Sequence, residues 1–193
     1  IAGNLHQDVS TALQNINVLS EIASIKADKQ PEQSKEFIQQ IQQKSRKMVI
    51  AMNDVLWSID PKNDSMPKTI ERLHEVAHAM QNRHAATVDV QTDNNVAALN
   101  LSMKTRHELI IIYKLALIML VEELGSKKTI VQFDYDKPLL HLRVLSAGVA
   151  LPKSDSPALK HIVEIKNRSA AINAKVHVQS DEKGTFLIFI IRV

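Results

Sequence analysis

The segment His74-Glu75-Val76-Ala77-His78 sets two imidazoles one helical turn apart with a carboxylate between them. Residues four apart share a helix face, so the pair could hold one zinc ion while Glu75 took a proton from bound water. His84 stands where the extended form of this pattern places a third ligand. That form needs a glycine seven residues after the first histidine to turn the chain, and Gln81 occupies the position. On a straight helix the six residues from His78 to His84 make about 600° of rotation, which carries His84 off the ligand face. An amphipathic helix with solvated histidines is the simpler account.

The elements that must carry these side chains follow from apolar spacing. Ala2, Leu5, Val9, Ala12, Ile16, Leu19 and Ala23 recur at steps of three and four, a narrow helical seam. Ile38, Ile41, Ser45, Met48, Met52, Val55 and Ile59 repeat those steps after a polar stretch containing Pro31. Two such helices form a hairpin, and pairing two hairpins into a dimeric four-helix bundle would bury the apolar surface that one leaves exposed. Pro61 ends the second helix, and Asp60 to Pro67 reads as a linker.

Beyond the linker the pattern predicts a helix from about Lys68 to Arg83, a strand at Thr87 to Gln91 and a long helix from Met103 to Leu124. Strands follow at Thr129 to Tyr135 and Leu139 to Leu145, joined by Asp136-Lys137-Pro138. A helix from Pro157 to Asn173 and strands at Lys175 to Ser180 and Thr185 to Val193 close the chain. The expected domains are thus a helical hairpin, 1–62, and an α+β sandwich, 68–193, with helices over one face of a mixed sheet. The apolar run Leu109, Ile110, Ile111, Ile112, Leu115, Leu117, Ile118 and Leu120 could line a lipid or cofactor pocket, but residues of this kind normally pack a core.

Composition narrows the classes. The 193 residues carry 24 basic and 21 acidic side chains, spread without interleaved aromatics, which argues against a nucleic-acid partner. There is no cysteine, so thiol chemistry and cysteine-bound zinc are excluded. Gly3, Gly125, Gly148 and Gly184 are the only glycines, so a glycine-rich phosphate cradle is absent. No apolar run approaches the ~18 residues of a membrane-spanning helix. The chain opens at Ile1 already inside a helical pattern, and an upstream segment is expected.

Ile1-Ala2-Gly3-Asn4-Leu5-His6-Gln7-Asp8 resembles the opening of the dimerisation helix in sensor histidine kinases of the nitrate- and desiccation-sensor kind, which read roughly I-A-x-x-L-H-D-x. Trp57-Ser58-Ile59-Asp60-Pro61-Lys62-Asn63-Asp64 is similar to that family's W-x-I-x-P-x-x-D exit from the second helix. Ile172-Asn173-Ala174-Lys175 and Gly184-Thr185 resemble its final helix-to-strand turn and closing G-T box. The resemblance implies a two-component signalling protein of the histidine-kinase ATPase type, with His6 as phosphoacceptor and the receiver domain of a response regulator as partner. The family's acidic neighbour is replaced by Gln7, whose amide accepts a hydrogen bond but cannot act as base. Asp8 is about 100° around the helix and substitutes poorly. Thr11 stands where the family often has a glutamine for dephosphorylating the regulator.

The nucleotide boxes depart further. The family's first box runs approximately Y-K-E-A-L-N-N-x-V-K-H-S, and here Tyr113-Lys114-Leu115-Ala116-Leu117-Ile118-Met119-Leu120 puts Leu115 for the glutamate and Ile118 and Met119 for the asparagines that hold magnesium. The second, D-x-G-x-G, aligns with Ser146-Ala147-Gly148-Val149-Ala150, and the glycine-rich lid with Leu159-Lys160-His161-Ile162. Gly184-Thr185 persists, and a simple hairpin turn accounts for Gly184.

The reading is a homodimeric pseudokinase or histidine phosphotransferase, cytoplasmic, reaching a membrane only through a segment outside this sequence. No cofactor and no metal are expected, with ATP and magnesium required should the site work after all. The alternatives are an active ATP-dependent histidine kinase with an eroded site and a zinc metalloprotease built on His74, Glu75 and His78.

Overall fold

The computed structural model describes residues 2–154 and 156–193, with side chains described from Ser10 onward. The chain divides into two units, Ile1–Asp60 and Pro61–Val193. The first is an antiparallel hairpin of α1 (Ala2–Lys26) and α2 (Pro31–Ile59). Pro31 opens α2 where a missing N–H costs nothing. The buried Ser34 hydroxyl donates to the Ala23 carbonyl at 2.8 Å, tying the first turn of α2 to the last turns of α1. At the far end Asp60 is extended, as the residue before a proline must be.

Within the hairpin Ala23 and Val55 are buried, while Leu13, Val18, Ile25, Ile38, Val49, Ile50, Met52, Leu56 and Ile59 are exposed. Of the seam expected on α2, Val55 is buried and Ile41, Ser45 and Met48 are half-buried, while Ile38, Met52 and Ile59 are exposed; Ser34, Asp54 and Ser58 are buried as well.

The second unit begins earlier than the expected linker allows. Pro61–Asn63 is a 3-10 turn, and Ser65 accepts from the Lys68 N–H to cap α3 (Met66–His84). Asp64 pairs with the buried Arg106 guanidinium, so the segment after Pro61 is held by the unit that follows it. Ala85, with φ 48°, turns the chain into β1 (Thr87–Thr92). Next comes a 3-10 turn at Asn94–Ala98, which the periodicity did not reveal, and then α4 (Met103–Leu117). Here the expected continuous helix changes character, and Ile118–Glu123 is a wider π-helical segment in which the Leu124 N–H reaches the Met119 carbonyl.

The remaining elements are β2 (Lys128–Asp136), β3 (Leu139–Ala147), α5 (Pro157–Ala170), β4 (Lys175–Asp181) and β5 (Gly184–Arg192). They complete a five-stranded sheet in the order β1-β2-β3-β5-β4. Only the β1–β2 pair is parallel. Side chains alternate across it: Val131, Phe133, Leu140, Leu142, Val144, Leu187 and Phe189 point into the core beneath the helices. Leu109, Ile110, Ile112, Leu115, Leu117 and Leu120 are buried in the same core, so the apolar run of α4 is packing rather than a pocket. The Tyr113 hydroxyl donates to the Leu73 carbonyl at 3.1 Å, fixing α4 against α3. No described helix is long and apolar enough to cross a membrane.

Candidate functional site

His6, Gln7 and Asp8 lie on the first turns of α1, and their side chains fall outside the described residues. Thr11, a turn further along, is exposed.

The nucleotide-box positions lie in the second unit, and their surroundings are apolar or internally satisfied. Leu115 is buried on α4; Met119 is fully buried in the π-helical segment, next to half-buried Ile118. None of the three brings an oxygen, which magnesium requires. Ser146, at the end of β3, is buried and donates to the Ser126 hydroxyl. Ser126 in turn donates to the Lys128 carbonyl at 3.1 Å and lies 3.2 Å from the Thr129 hydroxyl. The hydroxyl standing for the family's aspartate is thus engaged inside the fold.

Gly148 adopts φ 74°, and its N–H donates to the Lys183 carbonyl at 2.9 Å. The Thr185 hydroxyl donates to the Val149 carbonyl at 2.8 Å, and Ser180 accepts the Leu151 N–H at 2.7 Å, so the segment after β3 is laced to β4 and β5. Residues 159–162, aligned with the lid, sit in the first turns of α5 behind the Ser156 cap. Gly184 is more than a hairpin turn: a Cβ there would lie 2.4 Å from the Ser146 carbonyl oxygen, so only glycine permits this approach of β5 to β3.

The histidine pattern on α3 does not converge. His74 and His78 are exposed; His78 Nδ1 lies 3.1 Å from the Asn82 amide. His84 faces Glu122 of the π-helical segment at 3.6 Å. Among the described residues no group of three His, Cys, Asp or Glu side chains could hold a metal ion.

Spacing gave no sign of the buried charges. Burial lowers the pKa of Arg106, which donates to the Leu101 carbonyl and pairs with Asp64. Arg168 bonds Glu164 at 3.1 Å and the buried Glu108 at 3.2 Å. Burial works against its charge, but the two carboxylates outweigh it and raise its pKa. A charged triplet, Arg106-His107-Glu108, at the start of an otherwise apolar helix was the available signal.

A helical hairpin followed by this mixed sheet with helices on one face is the fold of a sensor histidine kinase core. The blue-light activated histidine kinase of Erythrobacter litoralis EL346 matches over 97% of this chain and 59% of its own, with a TM-score of 0.63 and 14% identity. Histidine kinase AdeS of Acinetobacter baumannii matches over 96% of both chains, with a TM-score of 0.61 and 6% identity. The catalytic domain of histidine kinase ThkA matches 63% of this chain and 90% of its own, with a TM-score of 0.51 and 16% identity. The chain spans about three fifths of the EL346 kinase chains, 62% and 59%. No protein family and no curated protein sequence matches it. Identity this low establishes the fold, and function must be argued from the chain's own residues.

Proposed function

We propose that the chain is the phosphotransfer core of a two-component system, in which His6 carries the phosphoryl group and the second unit no longer binds nucleotide. The observation that carries the reading is the chemistry at the box positions: Leu115 and Met119 are buried apolar side chains without oxygen, and Ser146 donates its hydroxyl to Ser126. A metal-bound triphosphate needs oxygen ligands and a free polar anchor, and these residues supply neither. The phosphoryl group would then come from the aspartyl phosphate of a response regulator receiver. The P–O bond to the aspartate breaks as a P–N bond to the imidazole forms, and a second receiver reverses the exchange. No cofactor is needed on this chain, because the receiver brings its own magnesium.

A homodimer is part of the same proposal. The exposed leucine, isoleucine, valine and methionine side chains of the hairpin form the surface that a second hairpin would cover in a four-helix bundle. The compartment is cytoplasmic in this reading, where receivers are found.

Two measurements test it. Titration of the purified chain with Mg-ATP, against an intact histidine kinase core, is expected to show no saturable binding. Incubation with a radiolabelled phosphorylated receiver is expected to label wild-type chain and leave His6→Gln unlabelled. Saturable nucleotide binding with labelling from ATP would establish the second reading, an active kinase with an eroded site. Label retained in His6→Gln would overturn the role of His6.

A further inference from the structure

The sheet face turned away from the helices carries a groove built by strand register. Ile130 pairs with Leu145, Leu145 with Phe186 and Phe186 with Gln179, one continuous row across β2, β3, β5 and β4. In the neighbouring row Ala147 pairs with Gly184 and Gly184 with Asp181; extending the β2–β3 register by one residue sets Lys128 beside Ala147. Two adjacent positions of that row therefore carry a methyl group and no side chain at all. The large side chains of the first row stand over the resulting trough, which has a volume of about 410 Å³. Gly184 cannot be exchanged to fill it, because a Cβ would strike the Ser146 carbonyl.

The walls and rim differ in character. Ile130 and Phe186 are half-buried and Leu145 is 36% exposed, an apolar surface that water solvates at a cost. At the rim Lys128 and Lys183 have no side-chain partner among the described residues. Asp181 is the one carboxylate in the lining, and its Oδ1 accepts the N–H groups of Lys183 and Gly184 at 2.8 and 3.3 Å. That carboxylate is held by the turn, so the two ammonium groups are left to an incoming charge. The volume falls within the range of about 300–1,000 Å³ usual for small-molecule sites.

We propose that this groove binds a small amphipathic anion, an aromatic or short acyl compound whose apolar body lies against Ile130, Leu145 and Phe186 and whose acid group meets Lys128 and Lys183. The groove shares Gly184 with the nucleotide-box positions, but the hydroxyls of Ser146 and Thr185 are directed away from it, to Ser126 and the Val149 carbonyl.

The test uses the full chain and two probes, 8-anilinonaphthalene-1-sulfonate followed by fluorescence and octanoate followed by amide chemical shifts. Saturable binding is expected, with octanoate displacing the sulfonate, octanol displacing it roughly tenfold less well, and shifts centred on residues 128–130, 145–147 and 179–186. Lys128→Glu with Lys183→Glu changes only exposed side chains and should weaken both probes about tenfold or more at unchanged melting temperature. Ala147→Leu should do the same by filling the trough. Absence of saturable binding, equal competition by octanol, shifts confined to α1 and α2, or unchanged affinity in the charge-reversed variant would each overturn the proposal. If Ala147→Leu does not fold, the charge-reversed variant decides.

Discussion

At the scale of single residues, the buried hydroxyl cluster makes the sharpest claim. Ser146 donates to Ser126, Ser126 donates to the Lys128 carbonyl, and Thr129 lies within reach of Ser126. Ser126→Ala removes the acceptor that Ser146 uses while leaving that hydroxyl buried, so urea denaturation should record a loss of about 1–3 kcal/mol. Ser126→Ala combined with Ser146→Ala removes both ends of the bond and should lose less than the sum of the single changes. A purely additive pair would show that the hydroxyls act separately. Ser146 could be picked out in the sequence as the position of a missing aspartate. Its partner could not, because Ser126 is 20 residues away and only the pairing of β2 with β3 brings the two together. Gly184 shows the same limit: a lone glycine between two strands looks like a turn, and the close approach of Ser146 that demands it belongs to the sheet.

At the scale of elements, α4 is the axis of the second unit, and Tyr113 is its fastening to α3. Burial pushes the phenol's pKa above its ordinary value. The folded chain therefore keeps this proton where the unfolded chain would release it. The associated stability is complete below the ordinary tyrosine value of about 10 and is lost as pH rises beyond it. Tyr113→Phe should cost about 1 kcal/mol at neutral pH, and its melting temperature should fall less steeply than wild type above pH ~10. Parallel pH profiles would remove the phenol from the account. Apolar period made the helices legible, and the structure adds their caps: Ser65, Ser102 and Ser156 each stand just before a helix start and accept an N–H from its first turn. The π-helical widening at Ile118–Glu123 was not legible, since Ile, Met, Leu, Val and Glu all suit an ordinary α-helix. Met119, Leu120 and Val121 are all buried within this wider turn.

At the scale of the whole molecule, the two units make separate predictions. Residues 61–193 contain their own core and should melt cooperatively when produced alone. Leu13→Glu with Leu56→Glu alters two exposed apolar side chains of the hairpin and should shift sedimentation from dimer toward monomer without changing that melting temperature. A variant that stays dimeric would place the self-association surface elsewhere. Fold class was readable because two narrow helical seams precede Pro61 and helical and alternating runs are mixed after it, whereas the groove over Ala147 and Gly184 was not, being a product of register between strands distant in sequence. The rims of the sheet carry one further consequence. β1 and β4 end the five-strand order, and a rim of unpaired N–H and C=O groups is a template on which another chain can grow. Asp89 is exposed on β1, and Lys175, His177 and Asp181 on β4, so charged or polar groups recur along both rims and repel an added strand. Fibre growth is thereby resisted by a few side chains, and Lys175→Val with His177→Val is expected to scatter light on gentle warming while wild type stays clear.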